Sequence, residues 1–163
     1  MDASKTLYLL RHLKSSWDDP ALPDRERPLA PRGRKAGKKI ARHLRKTGVA
    51  PELVLCSPAV RTRQTLDAVR AELGEAEIRF VEELYAASEK ELLDVLRVVD
   101  SDAGAVLVIA HNPGLEDLSF VLTGKAQEQF PTGALATLSL RSGWAELEPG
   151  ACELVSFVVP REL

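Results

Sequence analysis

The chain has 163 residues, a length that suits a single domain over 1–163 with a core large enough to need no disulfide or metal staple. Its apolar fraction of 45% and charged fraction of 28% are ordinary for a globular protein, and the formal net charge of -2 exerts no global pull toward nucleic acid or an anionic membrane. An anion site, if present, must therefore be local.

The N-terminal apolar stretch of about five residues, near Asp2 and Lys5, is too short for a signal-peptide core or a spanning helix, so the cytoplasm is the expected location. Leu7 to Leu10 reads as the first strand and delivers Arg11-His12. A helix opening near Pro31 carries Ala36, Ile40 and Leu44 at helical spacing and stops at Gly48. The basic run Arg32 to Lys46 on this helix lacks interleaved aromatics and is expected to be a solvated face rather than a nucleic-acid surface, with His43 as a surface residue. Leu53 to Cys56 is the second strand; Ser57 as N-cap and Pro58 at the first position begin a helix striped by Leu66, Val69 and Leu73. Ile78 to Val81 is the third strand, followed by Glu82 and Glu83. Ser88 and Glu91 have capping-box spacing ahead of Leu92, Leu96 and Val99. Ala105 to Ala110 is the fourth strand, ending at His111, and Asn112-Pro113 opens a helix with Leu115, Leu118 and Leu122. Leu135 to Leu140 and Leu154 to Val159, across Gly143 and Pro149-Gly150, form a hairpin-like pair. Near-continuous apolar strands alternating with helices predict an α/β fold with a mostly parallel central sheet covered on both faces. Cys56 and Cys152 follow no framework spacing and are expected to be buried thiols in a reducing compartment.

In open α/β sheets the loops at the carboxyl ends of the strands build the ligand site. Here those positions hold Arg11, His12, Arg61 one turn beyond Ser57, the pair Glu82 and Glu83, and His111. Guanidinium forks match phosphate oxygens, a neutral imidazole can attack phosphorus, and a carboxylate can move protons, so the set suits phosphoryl transfer. A helix N-terminus at Asn112-Pro113 beside His111 would add anion affinity. Taken singly, each of these residues has a bland reading as a surface arginine or a satisfied loop histidine. Their coincidence at strand ends argues for a site. Cys56 has Thr62, flanked by Arg61 and Arg63, at the sixth position after it, which excludes a cysteine-phosphatase loop. Nucleotide-phosphate, dinucleotide and serine-hydrolase motifs are absent, and the histidines lack metal-ligand spacing, so neither metal nor other cofactor is predicted.

The segments "LLRHLKSSWDD", "RPLAPRG", "LCSPAVRTRQTL", "ELYAAS" and "IAHNPGLEDL", in that order, resemble the histidine phosphatase superfamily and specifically its small SixA-type phosphohistidine phosphatases. The resemblance runs from Leu7 to about Leu122 and implies a phosphoglycerate mutase-like three-layer sandwich. It assigns His12 as nucleophile, with Arg11, Arg61 and His111 as the phosphate clamp; the helix start beside His111 adds Asn112 as a further expected phosphate contact. Among carboxylates, Glu83 is the closest match to the acid that protonates an ester oxygen in related phosphatases, ahead of Glu82 and Asp18. Leu13 stands where the family usually has Gly or Ala, which bears on the pocket rim, and Thr62 stands where Ala is usual. The larger mutases of the superfamily carry insertions over the site that this chain lacks between its predicted elements. An open site favours phosphohistidine on a signalling or carrier protein as substrate. A general small-molecule phosphomonoesterase using Glu83 is the alternative enzyme, and a non-catalytic phosphate- or phosphohistidine-binding module the alternative of another class.

Overall fold

The structure, a computed structural model, describes residues 4–126 and 129–163. Six strands form one sheet: β1 (Lys5–Arg11), β2 (Leu53–Cys56), β3 (Glu77–Phe80), β4 (Ala105–Ala110), β5 (Leu135–Leu140) and β6 (Cys152–Val158). Their order is β3-β2-β4-β1-β5-β6, with β3, β2, β4 and β1 parallel and β5 antiparallel to both β1 and β6. The period of two in a strand divides β4 between two cores: Val106 and Val108 face one, Leu107 and Ile109 the other. Helices α1 (Pro31–Thr47) and α2 (Val60–Val69) cover the second face with Ile40, Leu44, Leu66 and Val69. Helices α3 (Glu89–Arg97) and α4 (Gly114–Thr123) cover the first with Leu92, Leu96, Leu115, Leu118 and Leu122. The result is the three-layer α/β sandwich expected from the sequence. No helix among the described residues is long and apolar enough to cross a membrane.

Helix boundaries follow local chemistry. Gly48 ends α1 in the left-handed conformation at φ 69, and Ser88 and Glu91 make the full reciprocal capping box of α3. Helix α2 departs from expectation. It starts at Val60 rather than Pro58, because Thr62 Oγ1 donates to the carbonyls of Ser57 (2.7 Å) and Ala59 (2.8 Å), holding residues 57–59 as a separate turn. That leaves the Ser57 hydroxyl available for the site. At the other end of the sheet, β6 begins at Cys152, earlier than expected, and its register with β5 shifts between Thr137 and Leu138. The bulge skips Val155, which is exposed. The long connection between these strands is pinned by Trp144, whose indole N–H donates to the Ala103 carbonyl at 2.7 Å.

Candidate active site

Sheet order decides which strand ends become neighbours. Because β4 lies between β1 and β2, His111 emerges between His12 and Ser57. The sheet's hydrogen bonding continues one residue beyond the strands: the His12 N–H donates to Ala110 O at 3.1 Å and the Ser57 N–H to Ile109 O at 3.0 Å. The rings of His12 and His111 consequently lie 5.4 Å apart, tilted by 54°.

His12 is buried, and its Nδ1 lies 2.8 Å from the Leu13 carbonyl oxygen. A carbonyl only accepts, so this contact puts the neutral ring's proton on Nδ1 and leaves the lone pair on Nε2. Burial lowers the His12 pKa to about 4; the Leu13 carbonyl opposes the shift, while Arg61, Arg11 and Arg27 reinforce it. Near neutral pH the ring is therefore uncharged, with an Nε2 lone pair able to attack an electrophile. The Leu13 N–H in turn donates to Thr65 Oγ1 (3.0 Å), and that hydroxyl donates to Arg61 O (2.7 Å), so α2 holds the loop that carries His12. The Leu13 side chain points into the core near Gly37 and Gly133, away from the rim that its bulk was expected to shape.

His111 is buried as well, its pKa lowered to about 3 by desolvation first and then by His12 and Arg61. Its Nε2 lies 2.8 Å from Ser57 Oγ, while its Nδ1 is buried without a partner. If the Ser57 hydroxyl donates to Nε2, the ring proton resides on Nδ1 as a free donor. Arg11 is similar: Nη1 donates to Phe130 O at 2.9 Å, and Nε is buried and unpartnered. Two of the three such side-chain atoms among the described residues thus belong to this cluster, the third being Ser119 Oγ. Buried donors left unsatisfied cost on the order of 1–3 kcal/mol each; Arg11 Nε is such a donor, and so is His111 Nδ1 in that tautomer, and either can take an acceptor oxygen.

Arg61 is buried rather than lying on an exposed turn, and its guanidinium holds a residue that sequence reasoning missed. Nη1 donates to Asp24 O (2.7 Å) and Nη2 to Asp24 Oδ2 (2.9 Å). The same carboxylate accepts from the Tyr85 hydroxyl and from Arg27 Nη1 (3.1 Å), and Tyr85 packs edge-on against His111 at 5.5 Å. The Tyr85 hydrogen bond is the largest influence and, with the Arg61 and Arg27 contacts, it outweighs desolvation and holds the Asp24 carboxyl down to about 2. Arg27 is buried beneath the exposed indole of Trp17, its guanidinium carbon 3.3 Å from the ring centroid. Asp24 opens one short 3-10 segment and Tyr85 follows another, both outside the periodic elements and with no pattern that marks them, whereas Arg27 stands at the head of "RPLAPRG".

Four other candidates lie differently. Glu83 is exposed and lines a groove with Arg79, Val81, Glu91 and Asp94 on the α3 side, bonded to none of the site residues described above. Its displacement follows from the 3-10 turn Glu82–Leu84, which buries Leu84 while turning both acids outward. Glu82 pairs with Arg25 at the surface, and Asp18 is exposed. Asn112 is anchored to backbone: Nδ2 donates to Phe130 O (2.9 Å) and Oδ1 accepts from the Glu116 N–H (3.2 Å). The Leu115 N–H likewise donates to His111 O, so the start of α4 offers fewer free donors than the sequence implied. Among the described residues, no group of three or more His, Cys, Asp or Glu side chains is arranged to hold a metal.

Comparison with known proteins gives a consistent picture. The profile of the histidine phosphatase superfamily (branch 1) matches residues 7–88. An uncharacterized protein of Mycobacterium tuberculosis is 36% identical over 163 aligned positions, covering 93% of this chain and all of the relative. The structure assigned as the phosphohistidine phosphatase SixA of Nakamurella multipartitia superposes with a TM-score of 0.86 at 32% identity, covering 98% of each chain. A protein histidine phosphatase SixA complexed with tungstate superposes with a TM-score of 0.83 at 26% identity, covering 96% of this chain and 98% of that one.

Proposed function

Since the chain belongs to the histidine phosphatase superfamily and is a phosphatase, we propose that it removes the phosphoryl group from phosphohistidine carried on a protein, by way of a phosphorylated His12. His12 Nε2 attacks phosphorus while Arg11, Arg61 and the Nδ1–H of His111 stabilise charge on the equatorial oxygens. As the new N–P bond forms, positive charge on the His12 ring is eased by the Nδ1–H to Leu13 carbonyl contact. The substrate's P–N bond breaks, and its imidazole leaves neutral once its other nitrogen has taken a proton from water. Water then attacks phospho-His12, releasing phosphate and restoring the neutral ring.

The observation that supports this substrate class is Asp24. It is the carboxylate bonded to Arg61, and Tyr85, Arg61 and Arg27 keep it ionised, while Tyr85 commits its own proton to it. An alkoxide leaving group needs a proton donor; an imidazole, whose conjugate acid has a pKa of about 6.5, needs one far less. The tungstate-bound SixA lends support too, because tungstate is a tetrahedral oxyanion like phosphate.

The test compares kcat/KM for a phosphohistidine peptide, p-nitrophenyl phosphate and glycerol phosphate. Phosphohistidine should exceed the alkyl ester by at least about 100-fold, roughly 3 kcal/mol of transition-state stabilisation. Equal rates on the alkyl ester would overturn the substrate class. Brief exposure to labelled phosphodonor should leave acid-labile phosphate on wild-type protein and none on His12→Ala.

A further inference from the structure

We infer that the groove between α1 and the C-terminal turn Pro160–Glu162 docks an acidic segment of the phosphoprotein substrate, beside the nucleophile loop; the inference rests on the function proposed above. The groove has a volume of about 480 Å3. Its charged lining consists of Lys14, Arg32, Lys35, Lys39 and Arg161, with no acidic side chain among the described residues. None of these five cations makes an ion pair with a described residue. In a chain of net charge -2, that is a local concentration of positive charge on an otherwise acidic molecule.

The groove lies at the same edge of the sheet as His12. Strand β5 starts beside the end of β1, with Leu10 opposite Leu135, and β6 ends beside that start, with Val158 opposite Leu135. Both walls are tied to the nucleophile segment. On one side, the Ala30 N–H donates to Lys14 O (2.9 Å) just before α1 begins. On the other, the Gly133 N–H following Pro131 and Thr132 donates to both Arg11 O (3.1 Å) and His12 O (3.0 Å). A partner seated in the groove therefore touches the backbone that carries the site.

The distribution of charge selects the occupant. Arg32, Lys35 and Lys39 stand at i, i+3 and i+7 on α1, a stripe about 10 Å long, with Arg161 across from it. Four of the five cations are exposed and Lys39 is partly so; none forms a buried fork of the kind that grips a single phosphate. Ala36 and Pro160 supply an apolar floor. Spread-out, mobile ammonium groups over such a floor suit several carboxylates along a peptide, and their effect is on encounter and orientation.

The experiment uses three phosphohistidine peptides differing only in Glu, Gln or Lys residues flanking the modified site, with phosphoramidate as the small control. Wild type should favour the Glu peptide over the Lys peptide roughly tenfold in kcat/KM, a preference that shrinks as NaCl rises from about 50 to about 500 mM. The Lys35→Glu/Lys39→Glu/Arg161→Glu variant should lose or invert the preference and keep its phosphoramidate turnover. The corresponding Gln variant should fall between, and it reports independently should charge reversal impair folding. Equal rates on all three peptides, with phosphoramidate cleaved, overturn the docking surface and leave the proposed function standing. Peptide-independent kinetics combined with loss of inorganic tripolyphosphate binding in the variant would reassign the groove to small polyanions. Failure to cleave phosphoramidate or any peptide overturns the proposed function, and the docking inference with it.

Discussion

At the scale of single residues, protonation and charge around two imidazoles set the behaviour. His12 and His111 titrate near 4 and 3 in the folded chain, against about 6.5 when unfolded. Between those values the unfolded chain binds more protons, so stability rises with pH across that window and is lost as pH falls from about 6.5 toward 4. For His12 alone the change is on the order of 3 kcal/mol, readable as a falling urea midpoint on acidification with little change above pH 7. Asp24, held low, acts in the same direction at still lower pH. The kcat/KM for acid-stable p-nitrophenyl phosphate should fall on an acid limb set by His12 near 4, rather than near 6.5. Asp24 also offsets the charge of Arg61. Asp24→Asn should tighten competitive inhibition by orthophosphate several-fold, measured as Ki, while an unchanged or weaker Ki would mean that its charge is not felt at the phosphate position. The four strand-end residues of this cluster were legible because their chemistry is rare in that arrangement. Asp24, Tyr85 and Ser57 were not, since nothing in a local pattern says which distant turn folds over a guanidinium.

At the scale of elements, the junction between β1 and α1 is the most tightly specified. A β-carbon on Gly33 would stand 2.2 Å from the Lys14 carbonyl oxygen, and that oxygen already accepts from the Ala30 N–H. Backbone cannot yield as a side-chain tip can, so Gly33→Ala should destabilise by about 2–3 kcal/mol, seen as a lowered Tm. Its kcat should fall as well, because Lys14 is two residues from His12, the proposed nucleophile; an unaltered Tm would show that α1 can slide. Helix starts illustrate what a sequence reading can resolve. The α3 capping box needs only residues within one turn and was found correctly. The α2 start was misplaced because Ser57 and Pro58 have the right types for a helix start, yet the Thr62 hydroxyl competes for the same backbone and the Ser57 hydroxyl is taken up by His111. Such competition is tertiary, and no window of neighbouring residues contains it. Three of the parallel strands, β1, β2 and β4, were recognisable from apolar runs, whereas the edge strand β3 is mixed and mostly exposed; the order in which they pair was not legible.

For the molecule as a whole, two cores separated by the sheet each contain one thiol, Cys56 on the α1/α2 face and Cys152 on the α3/α4 face. Burial pushes their pKa values up to about 12 and about 11. Native protein should therefore resist a thiol-modifying reagent at neutral pH and take up two equivalents on denaturation. Different rates for the two sites under mild denaturant would reveal that one face opens before the other. The insertion of β4 between β1 and β2 also has a bearing on synthesis. His12 and Arg61 are made early, but the slot between their strands stays unfilled until residues 105–110 are made, and His111 arrives with them. Pairing so distant in sequence closes late in folding. A ribosome-bound nascent chain stalled before β4 should thus have no phosphatase activity even with His12 exposed. Activity should switch on over a narrow range of chain lengths once β4 has cleared the exit tunnel, so that the order of strands in space acts as a timer on the appearance of the enzyme.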